Sequence, residues 1–346
     1  MPESLTLIEV PIPILTRRLP RPRPYPDAEA VRLAAEAFWS TPGARQLLPT
    51  ASAHADYQAQ RAFEFTYWSY PALKEQRLPL VVAINEFAYA TDFVFDDIDG
   101  GEASRGQPSG RDLAGYVDVF SGLAAQAQVL LSPRQYERLG AAVAEAFEHI
   151  ANQGDAAVRE ESSGGIYHRH LNSGWIWVAE LILELAIGVD LSAYLTSDSL
   201  LRQYYHAGCS AGVLVNDIFS LRKEYYSGAG FFNVVPALAR ERGISFADAV
   251  TVVAEWVLRE EYRCYELRDR LLASPAGSDP SVRAFISAFE YWLAGNLHWS
   301  RLTPRYHGKG FEYDGTTEGT MVLHPDRTLY VPAGSGEGSV GAPQTP

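Results

Sequence analysis

The sequence predicts an all-α fold, a single-domain antiparallel helical bundle around a central active-site cavity. Ten stretches repeat apolar residues at the helical period, strand-like alternation is nearly absent, and short Gly- or Pro-marked breaks separate the stretches. The length of 346 residues would allow two domains, but no linker divides the interior and two polar motifs need one shared hollow, so the chain reads as one.

The periodicity places helices at 28 to 40 and 54 to 66, before a break at Pro71. The next, 77 to 98, runs into Gly100-Gly101; 111 to 126 follows, and 133 to 152 opens at Pro133. Helices at 155 to 171 and 175 to 188 flank Gly174. The stretch from Trp175 to Val189 is the most apolar, but it is shorter than a membrane span and carries Glu180 and Glu184, so it reads as a buried or amphipathic helix. A long helix at 197 to 226 stops at Gly228-Ala229-Gly230, another at 245 to 273 stops at Ser274-Pro275-Ala276-Gly277, and 281 to 299 is the last. Residues 1–26 form a Pro-rich N-terminal segment, 27–310 the helical domain, and 311–346 a C-terminal tail expected to be largely disordered.

Composition narrows the function classes. A net charge of −13 with scattered Lys and Arg excludes a nucleic-acid surface, which needs a basic face. The N-terminal segment has no continuous apolar core, so the expectation is a cytoplasmic protein with no membrane span. Cys209 and Cys264 lack metal-ligand spacing and read as reduced core residues.

Chemistry concentrates in two motifs. In Asn216-Asp217-Ile218-Phe219-Ser220-Leu221-Arg222-Lys223-Glu224, the residues Asn216, Ser220 and Glu224 recur every four positions and fall within about 80° around a helix. Their oxygens suit Mg²⁺ or Mn²⁺, and Lys223 shares that side, where its ammonium can meet a phosphate. In the second motif, Asp92, Asp96 and Asp99 share a helix face, and Asp97 points roughly 100° from Asp96. Acidic residues at a helix end are most often a solvated cap; here they repel one another and oppose the helix dipole, a conflict that bound cations remove.

The two motifs resemble, in the same order, the aspartate-rich and Asn-Ser-Glu magnesium motifs of bacterial class I terpene synthases. Trp299-Ser300-Arg301-Leu302-Thr303-Pro304-Arg305-Tyr306 is similar to that family's terminal Arg-Tyr pair, which closes over the diphosphate. The likeness runs roughly from residue 25 to 310 and includes Tyr25-Pro26-Asp27 and Trp68-Ser69-Tyr70-Pro71. The chain departs from the family by carrying Gly100 where the longer aspartate motif has its last acid, a role Asp99 can fill. It also reads Arg169-His170-Leu171-Asn172-Ser173-Gly174 where the family has its diphosphate-sensing arginine segment. Arg169 has the bidentate charge and His170 the better spacing.

The resemblance implies three Mg²⁺ ions, with Mn²⁺ as substitute, on Asp96, Asp97, Asp99, Asn216, Ser220 and Glu224. It implies diphosphate contacts from Arg169, Lys223, Arg305 and Tyr306, with Gly174 as the helix break that transmits the signal. Phe93, Trp299 and Trp68 are the expected lining of an apolar cavity that excludes water and steadies cations on aromatic faces. The implied reaction is ionisation and cyclisation of a linear isoprenoid diphosphate, farnesyl first and geranylgeranyl second, by a monomer or homodimer. The rivals are a chain-elongating prenyltransferase, which carries two Asp-rich motifs, and a non-catalytic isoprenoid-binding protein.

Overall fold

Helix starts follow the capping chemistry written in the chain. Asp27 accepts the amide of Ala30 at 2.9 Å and opens α1 (Ala28–Ser40), which buries Val31, Ala35, Phe38 and Trp39. The structure is a computed structural model describing residues 7–48, 50–97, 110–152, 162–172, 175–195, 199–228 and 232–334. After α1 come α2 (Pro42–Leu47), α3 (Ala51–Ala59), α4 (Phe63–Ser69), α5 (Leu78–Asp97), α6 (Gly110–Gln128) and α7 (Pro133–Asn152). They are followed by α8 (Ser163–Leu171), α9 (Trp175–Ile187), α10 (Leu200–Ser227), α11 (Val234–Arg242), α12 (Phe246–Ala273), α13 (Pro280–Leu302) and α14 (Pro304–His307).

The expected helical bundle is present. Helix α10 packs most extensively on α12 and also on α13 and α14; α4 lies on α13, α1 on α5, and α7 on α9. Buried apolar side chains from these helices join into a common core in which Trp299, Tyr204, Tyr205, Phe285 and Phe289 are the bulkiest central members. The approach of α4 to α13 is close enough that a Cβ on Gly295 would lie 2.2 Å from the Trp68 carbonyl oxygen.

Three expectations are corrected. The single helix expected over 54 to 66 is two, because the chain breaks at Gln60–Ala62, where Arg61 takes a φ of 55°. The short helices α2, α11 and α14 were not anticipated; at 6, 9 and 4 residues they are too brief for a periodic signal. The C-terminal stretch expected to be largely disordered contains a β-hairpin. Strands β2 (Gly319–Leu323) and β3 (Thr328–Pro332) pair antiparallel, and β2 also pairs with β1 (Ile8–Pro11) in the order β1-β2-β3. Ile8 faces Leu323 and Val10 faces Met321, all four buried, so the sheet closes over the helices by the alternation that five residues set among glycines conceal.

The Pro-rich N-terminal segment is tied down as well. The carboxylate of Glu261 on α12 accepts the amides of Arg17 at 3.0 Å, Arg18 at 3.1 Å and Leu19 at 3.2 Å, and the hydroxyl of Thr16. No helix among the described residues is long and apolar enough to cross a membrane.

Candidate active site

Helix α10 carries the longer motif. Ser199 caps its start, accepting the Arg202 amide at 3.2 Å, and Gly228 ends it in the left-handed region at φ 87°. Leu214, Val215, Ile218 and Leu221 bury the opposite side, which turns Asn216, Ser220 and Glu224 to a common face. Asn216 donates its Nδ2 to the Tyr306 hydroxyl at 2.6 Å, which leaves its carbonyl oxygen for other work. Glu224 Oε2 accepts from Asn233 Nδ2 at 2.7 Å, Glu224 Oε1 lies 3.9 Å from Lys223 Nζ, and the fully buried Ser220 has its Oγ 3.4 Å from the same Asn233 nitrogen.

Helix α5 brings the aspartate-rich end to the same place. Asp92, one turn before Asp96, pairs with the guanidinium of Arg305, whose other arm donates to Gln60 Oε1 at 2.6 Å. Arg305 is 3% exposed and stands 5.7 Å from the ring centre of Tyr89. The Asp92 side chain is 59% exposed, beside the buried guanidinium of Arg305. Desolvation there pushes its carboxyl up, but attraction to Arg305 and Lys223 outweighs it and holds Asp92 below the usual carboxylate range. Arg305 from α14 and Lys223 from α10 therefore act on one carboxylate of α5, so the two motif helices share a mouth.

The backbone of Asp96 and Asp97 forms the last turn of α5, and that of Arg169 lies in α8; the side chains of all three lie outside the described residues, as do Asp99 and Gly174 altogether. His170 Nε2 meets the Phe232 carbonyl at 2.8 Å, and its Nδ1 lies 3.9 Å from Asp217 Oδ1. Tyr306 is buried, with its ring 5.4 Å from that of Trp299. Trp299 is fully buried among Phe65 at 5.4 Å and Tyr89 at 5.1 Å. Phe93 is half-buried, 5.7 Å from Tyr57, and Trp68 is half-buried against His298 at 4.2 Å.

Three residues here, Gln60, Arg222 and Asn233, escaped the sequence reading of the site, and Asp92, read there on one face with Asp96 and Asp99, has a partner that reading did not foresee. Gln60 and Asp92 hold Arg305. Arg222, buried, donates Nε to the Tyr306 carbonyl at 2.7 Å and Nη1 to the Pro325 carbonyl at 2.6 Å, which ties the hairpin to the Arg-Tyr turn. Asn233 holds Glu224; its signal was a helix-capping Asn after a Gly-rich break.

The donor set around α10 is one carboxylate, one amide and one hydroxyl, hard oxygens that fit Mg²⁺. Among the described residues no three His, Cys, Asp or Glu side chains cluster as a metal cage, as expected when the aspartate side chains lie outside them. Two small apolar hollows of about 20 Å³ each lie elsewhere, one between α10, α12, α13 and Leu15–Leu19, the other between α5, α6, α7 and α9. Neither is lined by a metal-motif residue, so charge and oxygen donors locate this site, not hollow size.

Residues 114–261 match the family model described as terpene synthase family 2, C-terminal metal binding. A (3S,6E)-nerolidol synthase of Selaginella moellendorffii is 33% identical over 160 residues, covering 45% of this chain and 43% of that protein. The match thus spans less than half the length of that curated relative. The crystal structure of 2-methylisoborneol synthase from Streptomyces coelicolor A3(2), in complex with Mg²⁺ and 2-fluoroneryl diphosphate, is similar in fold with a TM-score of 0.70 at 16% identity, over 86% of this chain and 97% of that one. Germacradien-4-ol synthase from Streptomyces citricolor has a TM-score of 0.65 at 18% identity, over 82% and 97%.

Proposed function

We propose that the chain is a class I terpene synthase, a Mg²⁺-dependent terpene cyclase acting on a linear isoprenoid diphosphate. The observation that carries this reading is the pairing at the mouth: Arg305 meets Asp92 of the aspartate-rich helix while its neighbour Tyr306 meets Asn216 of the metal helix. Asn216, Ser220 and Glu224, with Asp96, Asp97 and Asp99, would hold three Mg²⁺ ions. When bound, these cations neutralise the diphosphate and make it a leaving group.

The chain's own residues do the rest. Lys223, Arg305, Arg169 and Tyr306 bind the diphosphate oxygens; Arg305 gives up Asp92 in doing so, and Gly174 is the residue assigned to pass on the signal from Arg169. Departure of the diphosphate breaks the allylic C–O bond with both electrons on oxygen and leaves a carbocation. The rings of Phe93, Trp299 and Trp68, with Tyr89 and Phe65, keep water out and present negative faces to that cation. Farnesyl diphosphate is the first substrate to test and geranylgeranyl diphosphate the second, since the shortened Asp-Asp-Ile-Asp form leaves the longer chain open.

Incubation with each diphosphate and Mg²⁺ tests the reading through diphosphate release and hydrocarbon products. Asn216→Ala and Glu224→Ala should lower release on the order of 100-fold or more with unchanged helicity by circular dichroism. Wild-type release in either variant refutes the metal assignment, and products that appear only with isopentenyl diphosphate point to chain elongation instead.

A further inference from the structure

We propose that Asn233 is a positioning residue for the cation-binding face of α10, orienting Glu224 so that Oε1 is the oxygen offered to metal; this rests on the metal assignment above. Asn233 lies outside both motifs and is fully buried at the start of α11. Its Oδ1 accepts the Val235 amide at 2.9 Å. Its Nδ2 then points at three acceptors: the Asp217 carbonyl at 2.7 Å, Glu224 Oε2 at 2.7 Å and Ser220 Oγ at 3.4 Å. The reverse amide orientation would set an oxygen against a carbonyl and a carboxylate and cost the α11 cap, so the partners fix which end donates.

The residues on either side are anchored too. The Phe232 carbonyl meets His170 Nε2 at 2.8 Å, and the Val234 amide donates to Asp217 Oδ2 at 3.0 Å. Asn233 is thus held between α8 and α10 and has little freedom to follow Glu224; Glu224 must instead follow it. A glutamate ordered before the cation arrives avoids the rotamer entropy that binding would otherwise cost. A neutral donor achieves this without spending the carboxylate's charge, as a lysine in its place would.

Two variants separate holding Glu224 from capping α11. Asn233→Ser keeps a cap oxygen but is too short to bridge the Asp217 carbonyl and Glu224, whereas Asn233→Ala loses both roles. Mn²⁺ binding is read by electron paramagnetic resonance with inorganic diphosphate present, at a temperature where circular dichroism reports each variant folded. Asn233→Ser should melt near the wild type yet bind Mn²⁺ about 10- to 100-fold more weakly. The Mg²⁺ concentration for half-maximal turnover should rise while turnover at saturating Mg²⁺ stays near wild type, a split that lost capping does not produce. Equal or tighter Mn²⁺ binding by Asn233→Ser overturns the proposal. If Glu224→Ala abolishes binding in that same case, only the role of Asn233 falls; if the wild type binds no Mn²⁺ with diphosphate, the metal assignment falls with it.

Discussion

Arg305 shows how little of a site's wiring a linear reading contains. Its partner Asp92 is 213 positions away, and Gln60 reaches it from a chain break that no local pattern announces. Asn216, Ser220 and Glu224 were legible because helix geometry alone sets their common face. Asn233 sits only nine positions past Glu224 but in another helix, so its bond depends on how α10 and α11 meet. Glu86 carries a prediction at this scale. Buried on α5, it accepts Trp39 Nε1 at 2.6 Å and the Tyr57 hydroxyl at 3.1 Å, and burial outweighs both bonds and raises its carboxyl from 4.5 to about 7. The folded state therefore keeps a proton that the unfolded chain releases. Its stabilising contribution is complete below about pH 4.5 and is lost as pH rises through about 7, on the order of 3 kcal/mol. Glu86→Gln should flatten the fall in melting temperature between about pH 4.5 and 7; identical slopes in wild type and variant would assign that titration to another group.

Helices were legible in proportion to their length. The N-terminal start of α1 and the whole of α7 match expectation, because capping residues and a long amphipathic period coincide there. The α3–α4 break was hidden because no Gly or Pro marks it; tertiary bonds set it, with the Gln60 carbonyl accepting Thr303 Oγ1 at 3.1 Å. A non-Gly residue in the left-handed region costs roughly 1–2 kcal/mol, and the contacts of Gln60 to Thr303 and Arg305 offset it. The contact of α4 with α13 is tested at Gly295, where a methyl group would strike the Trp68 backbone. Gly295→Ala should destabilise by about 1–3 kcal/mol as the two helices separate, measured by urea unfolding. An unchanged midpoint would mean the helices part at no cost, contrary to close packing here.

The molecule as a whole is closed by a sheet that composition concealed. Glycines around residues 308–319 read as loop, while the buried pair Met321 and Leu323 that anchors β2 is too brief a signal to outweigh them. The hairpin also braces chemistry: Arg222 links Pro325 to Tyr306, and buried His307, lowered by desolvation to about 3 and so neutral, packs between Phe219 and Tyr330. Deleting residues 311–346 should cost about 3–6 kcal/mol from the lost apolar burial and lower the melting temperature; a truncated chain as stable as the full one would show the sheet to be dispensable.

Because β1 pairs with a strand that follows α1 to α14 in the chain, that edge can be completed only after all of those helices have been made. During synthesis the hydrogen-bonding edge of β1 stays open until β2 has emerged. A pause in translation before β2 would then prolong the exposure of a sticky strand, and with it the opening for pairing with another chain.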